Sequence, residues 1–274
     1  MPEAAAEKVA KDRRQQLEQG WHDQHFRAAH AERIPASVRD RYLAPLRGPL
    51  FPLEQLFHWC GNPRGQRILV VGCGTSNVPT LLALAGAQVT ALDISQTAIL
   101  FQDDMASENG VRLLTRCGPA EEMDEQDPFD VVLGSMVLHH FPDALEAFHG
   151  RLLSLLKPGG LAIFSEPIAF SPLLSRLRRL FPASELSPGE RQLTRGDVKL
   201  LVGRALKSEA CYFNLFARLN RFVSRGTTLE SASGLSRSLC ISLARLDRLL
   251  LRLAPLQRYA GVVVLKLTRS DIGF

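Results

Sequence analysis

The stretch ILVVGCGTSNVPTLLA at residues 68–83 constrains the chain more than any other. Four apolar residues, Ile68 to Val71, suit a strand buried on both faces of a parallel sheet. Gly72, Cys73 and Gly74 follow without a spacer, then polar Thr75, Ser76 and Asn77, then a helical apolar run through Leu81, Leu82 and Leu84. A strand, a glycine turn and a helix start present backbone N–H groups to a polar or anionic ligand. Gly72 and Gly74 carry no Cβ, so a ligand can lie against the main chain. The run QVTALD at 88–93 is a second strand, ending in an acid roughly twenty residues after the first glycine. That spacing sets the Asp93 carboxylate where a ribose presents two hydroxyls. Ile94 and Ser95 also open a helical run, so Asp93 suits an N-cap as well.

The same alternation continues. Strand 68–71 leads to helix 77–85, and strand 88–92 to helix 95–109. A third strand falls at 111–116, a fourth at 129–133, a helix at 145–156 and a fifth strand at 161–165. Strands spaced by helices predict a parallel sheet with helices on both faces, whose ligands sit at the carboxyl ends of the strands. Gly72, Asp93, Gly118, Ser135 and Glu166 all fall at such ends.

Both flanks differ from this core. Residues 1–30 read as a polar helix carrying Trp21, His22, His25, Phe26 and His30, and Ile34-Pro35 breaks it. Ser37 is placed to cap a second helix, and a third runs over 53–60. This opening segment is expected to cover the core; packing and surface is the favoured role of each of its aromatics and histidines taken singly, and lining a substrate pocket is the other reading. Beyond residue 167 comes a basic amphipathic piece at 171–181 and a turn-rich linker at 182–189. Thr194 caps a helix over 197–205, and 211–222 reads as a strand. A long helix follows at 235–253, and a last strand at 260–267. In the long helix, Arg237, Arg245, Arg248 and Arg252 oppose Leu239, Leu243, Leu246, Leu250 and Leu253. Such a helix usually packs its leucines inward and solvates its arginines. The other reading lays it on a membrane surface.

Composition sets the outer bounds. A chain of 274 residues buries a full core. No apolar run approaches the roughly 20 residues of a membrane span. The charged opening MPEAAAEKVAKDRRQQ is no secretory signal, so a cytoplasmic protein is expected. The five cysteines are scattered and the seven histidines show no metal-ligand spacing, so no metal is expected. Charge is uneven, with a net of −6 over residues 1–166 and +11 over 167–274. A basic second half suits an anionic partner, such as a membrane surface, an acidic small molecule or nucleic acid, or is only a solvated surface.

With these pieces named, the chain resembles the class I S-adenosylmethionine-dependent methyltransferases, in the branch of quinone and natural-product small-molecule enzymes. ILVVGCGTS at 68–76, VTALDIS at 89–95, FDVVLGSMVLHHF at 129–141 and LLKPGGLAIFSEP at 155–167 carry the likeness, in family order and at family spacing. The resemblance implies a Rossmann-like α/β sheet of seven strands, mostly parallel with an antiparallel last strand and helices on both faces. It implies an N-terminal helical cover at 1–64, a cofactor-binding core at 65–170 and 258–270, and a variable basic helical substrate cover at 171–257. It implies S-adenosylmethionine as cofactor. Gly72, Cys73 and Gly74 would lie against its methionine part, Asp93 would take the ribose hydroxyls, and Ile94 would sit beside the adenine. Ala120 and Glu121 would lie near the adenine edge, and Ser135 and Met136 would flank the sulfonium. Three positions depart from the family pattern: Val70 replaces an acid, Ser76 the third loop glycine, and Pro119 the adenine-edge aspartate.

The activity so implied is methyl transfer to an oxygen or carbon, or a nitrogen, of a small apolar or aromatic acceptor. His139 and His140 are the candidate bases, since histidine titrates near neutral pH. Glu166 is placed to orient or deprotonate the acceptor, or to pair with a downstream arginine. The expected partner is a small molecule rather than nucleic acid, with peripheral membrane contact open through the basic C-terminal region. The rival readings are a methyltransferase acting on protein or RNA, and a binding protein that keeps the fold without catalysis. Oligomeric state is not legible.

Overall fold

The computed structural model describes residues 2–44, 48–124, 126–171, 187, 190–203, 206–223, 229 and 231–270. Three helices open the chain: α1 (Pro2–Phe26), α2 (Ala36–Leu43) and α3 (Pro52–Cys60). The core then alternates β1 (Arg67–Val71), α4 (Val78–Leu84), β2 (Gln88–Asp93), α5 (Gln96–Glu108) and β3 (Leu114–Cys117). It continues with β4 (Phe129–Ser135), α6 (Leu145–Leu155) and β5 (Leu156–Pro167). After α7 (Arg195–Val202) come β6 (Leu206–Phe213), the short α8 (Asn220–Val223), α9 (Gly234–Leu250), the short α10 (Ala254–Gln257) and β7 (Val262–Arg269).

The seven strands form one Rossmann-like sheet in the order β3-β2-β1-β4-β5-β7-β6, and β7 alone runs antiparallel to its neighbours. Residues alternate between the two faces, as strand geometry requires. Leu69 and Val71 join the cluster holding Phe148, Phe164 and Val263, while Ile68 and Val70 join the one holding Leu81, Ile99 and Val264. Both faces are dry, which is why β1 carries no polar position after Arg67. Val70, standing where the resembled family has an acid, is one of these core residues.

Register assembles the site. Val71 pairs with Leu92 on one side and Gly134 on the other. The residues that follow, Gly72, Asp93 and Ser135, therefore emerge side by side. Strand order reverses between β1 and β4, and a crevice opens there because the connections leave in opposite directions.

Several expectations are corrected. Pro35, not Ser37, holds the N-cap position of α2, and no side chain caps it. The third strand lies at Leu114–Cys117, later than 111–116. The strand expected at 211–222 is Leu206–Phe213; it joins the sheet beside β7, although it falls inside the stretch expected to be cover. It ends because Asn214 turns into the left-handed region at φ 62°. The next three free N–H groups, of Leu215, Phe216 and Ala217, donate to the buried carboxylate of Asp247 in α9. The basic segment 171–181 and the linker 182–189 lie almost wholly outside the described residues. No helix among the described residues is long and apolar enough to cross a membrane.

Candidate active site

The glycine loop is built by close packing. Gly72 sits at φ +61°, and a Cβ there would stand 2.1 Å from Val137 Cγ2. Gly74, at φ +47°, faces the Phe26 ring, which a Cβ would meet at 3.4 Å. Gly74 donates its N–H to Asp93 Oδ2 at 2.8 Å, and Ser95 donates to Oδ1 at 2.9 Å. Each carboxylate oxygen keeps a second lone pair for a further donor. Burial raises the Asp93 carboxyl above the ordinary aspartate range, against the pull of these two N–H groups and of His22 and His140. Ser95, not Asp93, caps α5, by accepting from the N–H of Ala98.

Gln102, which sequence reasoning passed over, holds the loop from beneath. Its amide donates to the carbonyls of Gly74 and Ser76 at 2.8 and 2.9 Å. The signal was present: a polar residue spaced three from Ile99 and three from Met105, on the apolar face of α5. Cys73 is buried in the same loop, and burial pushes its thiol well above the ordinary value, which suits a packing residue rather than a nucleophile.

Over this loop lies a cavity of about 590 Å³. Gly72, Cys73, Gly74, Asp93, Ile94, Ala120, Glu121, Ser135 and Met136 all line it, as do His139 and His140. Helix α1 forms its other wall with Trp21, His22, His25 and Phe26; His30 lies outside it. Trp21 and His25 stack with ring centroids 3.9 Å apart. The helix is pinned at both ends of the cavity. Arg14 pairs with Glu121 at 2.6 Å, which occupies the carboxylate expected at the adenine edge. Asp23 accepts from Ser95 Oγ at 2.6 Å and from the N–H of Thr97 at 3.1 Å. Burial raises the Asp23 carboxyl, but these bonds and Arg27 outweigh it and hold it below its usual range.

Glu166 corrects an expectation. It is wholly buried and, among the described residues, pairs with a histidine rather than an arginine. One oxygen accepts the N–H groups of Val137 and Leu138 at 3.0 Å each, and the other lies 2.9 Å from His139 Nδ1. It therefore shapes the turn after β4 and orients His139. The far nitrogen of His139 lies 3.7 Å from Glu190. His140 turns instead toward α1. Its Nδ1 is 2.8 Å from Ser187 Oγ and 3.6 Å from Glu18 Oε2. Glu18 is buried; burial raises its carboxyl, but His140, His22 and Ser187 together bring it down to about 2. Glu18, His22 and His140 bring three ligand-type atoms within 4.8 Å of one another, a grouping the sequence spacing did not show.

Ser135 and Met136 also line a second cavity, of about 400 Å³. Its walls are mainly apolar, with Phe51, Leu53, Cys240 and Val262. Met136 is held at φ 58°, a strained position for a side chain of its size, by its N–H bond to Ser165 O. The crevice thus holds two chambers that share one wall.

Residues 68–160 match the family described as methyltransferase domain. The stretch from β1 into β5 is thus similar to a methyltransferase domain. Among curated proteins, a ubiquinone biosynthesis O-methyltransferase of Bordetella bronchiseptica is 36% identical over 107 residues, which is 38% of this chain and 44% of that one. The chain spans less than half the length of the curated relatives it matches. Among solved structures, an S-adenosylmethionine-dependent methyltransferase of Mesorhizobium loti shares the fold of the methyltransferase domain. Its TM-score is 0.53 at 17% identity, over 81% of this chain and 99% of that one. The N-methyltransferase NodS of Bradyrhizobium japonicum, solved with S-adenosyl-L-homocysteine, aligns with TM-score 0.50 at 13% identity, over 85% and 97% of the two chains.

Proposed function

We propose that the protein is an S-adenosylmethionine-dependent methyltransferase that modifies a small apolar or aromatic acceptor, of the quinone-precursor type, in the cytoplasm. The observation that carries this reading is the pair of chambers meeting at Ser135 and Met136. One has the glycine cradle and a buried carboxylate with lone pairs to spare; the other is an apolar pocket for an acceptor. The first fits the cofactor chemically: Asp93 would hold the ribose hydroxyls, Gly72 to Gly74 the methionine part, and Ile94 and Ala120 the adenine.

The bound cofactor supplies a methyl group already activated on a sulfonium. What remains for the chain is alignment and proton removal, and alignment alone supplies several kcal/mol. Ser135 and Met136 set the boundary across which the two reactants face each other. His140 is the group assigned to take a proton from an acceptor that reaches past Ser135 and Met136 into the first chamber, which His140 lines with its Nδ1 engaged by Ser187. His139 is held between Glu166 and Glu190 and acts as a positioning residue. The ubiquinone-pathway relatives favour oxygen as the acceptor atom. Helix α1 and the region around α8 and α9 act as the cover of the site.

The test is methyl transfer by the purified protein from labelled S-adenosylmethionine to a panel of catechols, phenols and hydroquinones. Formation of S-adenosylhomocysteine with at least one acceptor is expected. No transfer across the panel, with the cofactor bound, would leave the non-catalytic reading in its place.

A further inference from the structure

Helix α9 solvates its arginines as its pattern favours, but it also leaves part of its leucine face in the open. Its buried face is Cys240, Ala244 and Asp247. Leu243 and Leu250 are half-buried, while four of its leucines are exposed, Leu235 at 85%, Leu239 at 47%, Leu246 at 42% and Leu249 at 61%, as is Leu253 just past its end at 58%. Together with exposed Ser242, these positions are spaced by alternating fours and threes. At about 100° per residue they fall on one stripe, nearly opposite the buried face. Within the helix, from Leu235 to Leu249, the stripe runs roughly 21 Å at the helical rise of about 1.5 Å per residue. Exposed Phe216 and Leu219 add apolar surface on the segment that packs against this helix.

The orientation is fixed rather than accidental. Asp247 accepts the three N–H groups of Leu215, Phe216 and Ala217 at 2.8 to 2.9 Å. Rotating the leucines inward would strip all three donors of their acceptor inside the protein, at a cost of about 1–3 kcal/mol each. A soluble surface seldom leaves so long an apolar stripe open without a use for it.

We propose that this face of α9 docks on an anionic lipid bilayer. Arg245 and Arg252, both exposed, flank the stripe on one shoulder, where their long stems reach past an apolar contact to lipid phosphates. The surrounding stretch 167–274 carries +11, which favours an anionic surface and disfavours a second copy of the same basic face. The inner face of the helix lines the acceptor chamber through Cys240. Docking thus brings that chamber within about one helix diameter, roughly 10 Å, of the lipid. The surface stands on α9 alone; its use, uptake of an acceptor dissolved in the membrane, rests on the methyl-transfer reading.

The experiment is sedimentation of the full chain with vesicles of phosphatidylcholine alone or mixed with phosphatidylglycerol. Binding is expected to the mixed vesicles and to weaken as salt rises. The triple variant L239E/L246E/L249E is expected to lose roughly tenfold or more of that binding, with an unchanged circular dichroism spectrum and unchanged calorimetric affinity for S-adenosylmethionine. R245Q/R252Q is expected to lose only the preference for anionic lipid. Equal partitioning of wild type and triple variant would overturn the proposal. So would a wild-type dimer that the triple variant dissolves, which would assign the stripe to a second copy. Failure of methyl transfer with vesicle binding intact would strike the catalytic reading and leave the docking surface standing.

Discussion

Gly74 donates its backbone N–H to the carboxylate of Asp93 across 2.8 Å, so the glycine loop and the acid at the end of β2 form one unit. The acid thus has a structural task besides any ligand it holds. Replacing Asp93 by alanine should leave the N–H groups of Gly74 and Ser95 without their acceptor. Each costs about 1–3 kcal/mol where water cannot replace the bond. The expected outcome is a loss of donor affinity of tenfold or more, together with a lower melting temperature, read by calorimetry and thermal unfolding. Unchanged affinity would remove Asp93 from the donor site.

The Gly72→Ala variant should destabilise the domain by about 1–3 kcal/mol, because the new methyl meets Val137 in a core with no slack. Combining it with Val137→Ala should restore only part of the loss, since φ +61° remains strained for alanine. Denaturant unfolding of the two single variants and the pair measures this. Full restoration would mean that the collision alone forbids a side chain.

The clasp between α1 and the turn after β4 should depend on pH in one direction. Glu18 is depressed from 4.5 to about 2 in the folded protein. A depressed carboxyl contributes its stabilisation above the unfolded value and loses it as pH falls through the folded one. Protection of the α1 amides from hydrogen exchange should therefore hold above about 4.5 and decline from there toward about 2. Glu18→Gln should lower protection at neutral pH and flatten that decline. A decline equally steep in the variant would place the acid-sensitive group elsewhere.

His140→Gln should reduce kcat by about 10²–10⁴ while leaving donor affinity unchanged, as expected for removal of a general base. Glu166→Gln should act differently. It weakens the hold on His139 and on the N–H groups of Val137 and Leu138, so stability falls by about 1–3 kcal/mol while kcat falls less than in His140→Gln. If Glu166→Gln cost the larger part of kcat and His140→Gln only stability, the two roles would be exchanged.

Legibility followed the physics of each segment. Buried parallel strands are continuous apolar runs, so β1, β2, β4 and β5 stood out, and the residues at their ends came together by register alone. β6 was misplaced because its end is set by Asp247, an acid thirty residues or more away from the N–H groups it holds. Nothing local marks that stop. The outward leucines of α9 were hidden for the same reason, since periodicity names two faces without saying which one the core takes. Glu166 read as a reactive group at a strand end, and only the turn folding back on it shows that its oxygens are taken. Gln102 was the one readable omission, a polar residue on an apolar helix face.

The position of β7 bears on biogenesis. It follows the other six strands along the chain, yet it is wedged between β5 and β6 and hydrogen-bonded to both. Until the ribosome has delivered Val262 to Arg269, two raw margins of sheet face the cell with their amides open, a template for mispairing with other nascent chains. Halting translation just before Val262 should yield a sticky, chaperone-dependent species, whereas release of the remaining residues closes the gap in a single stroke.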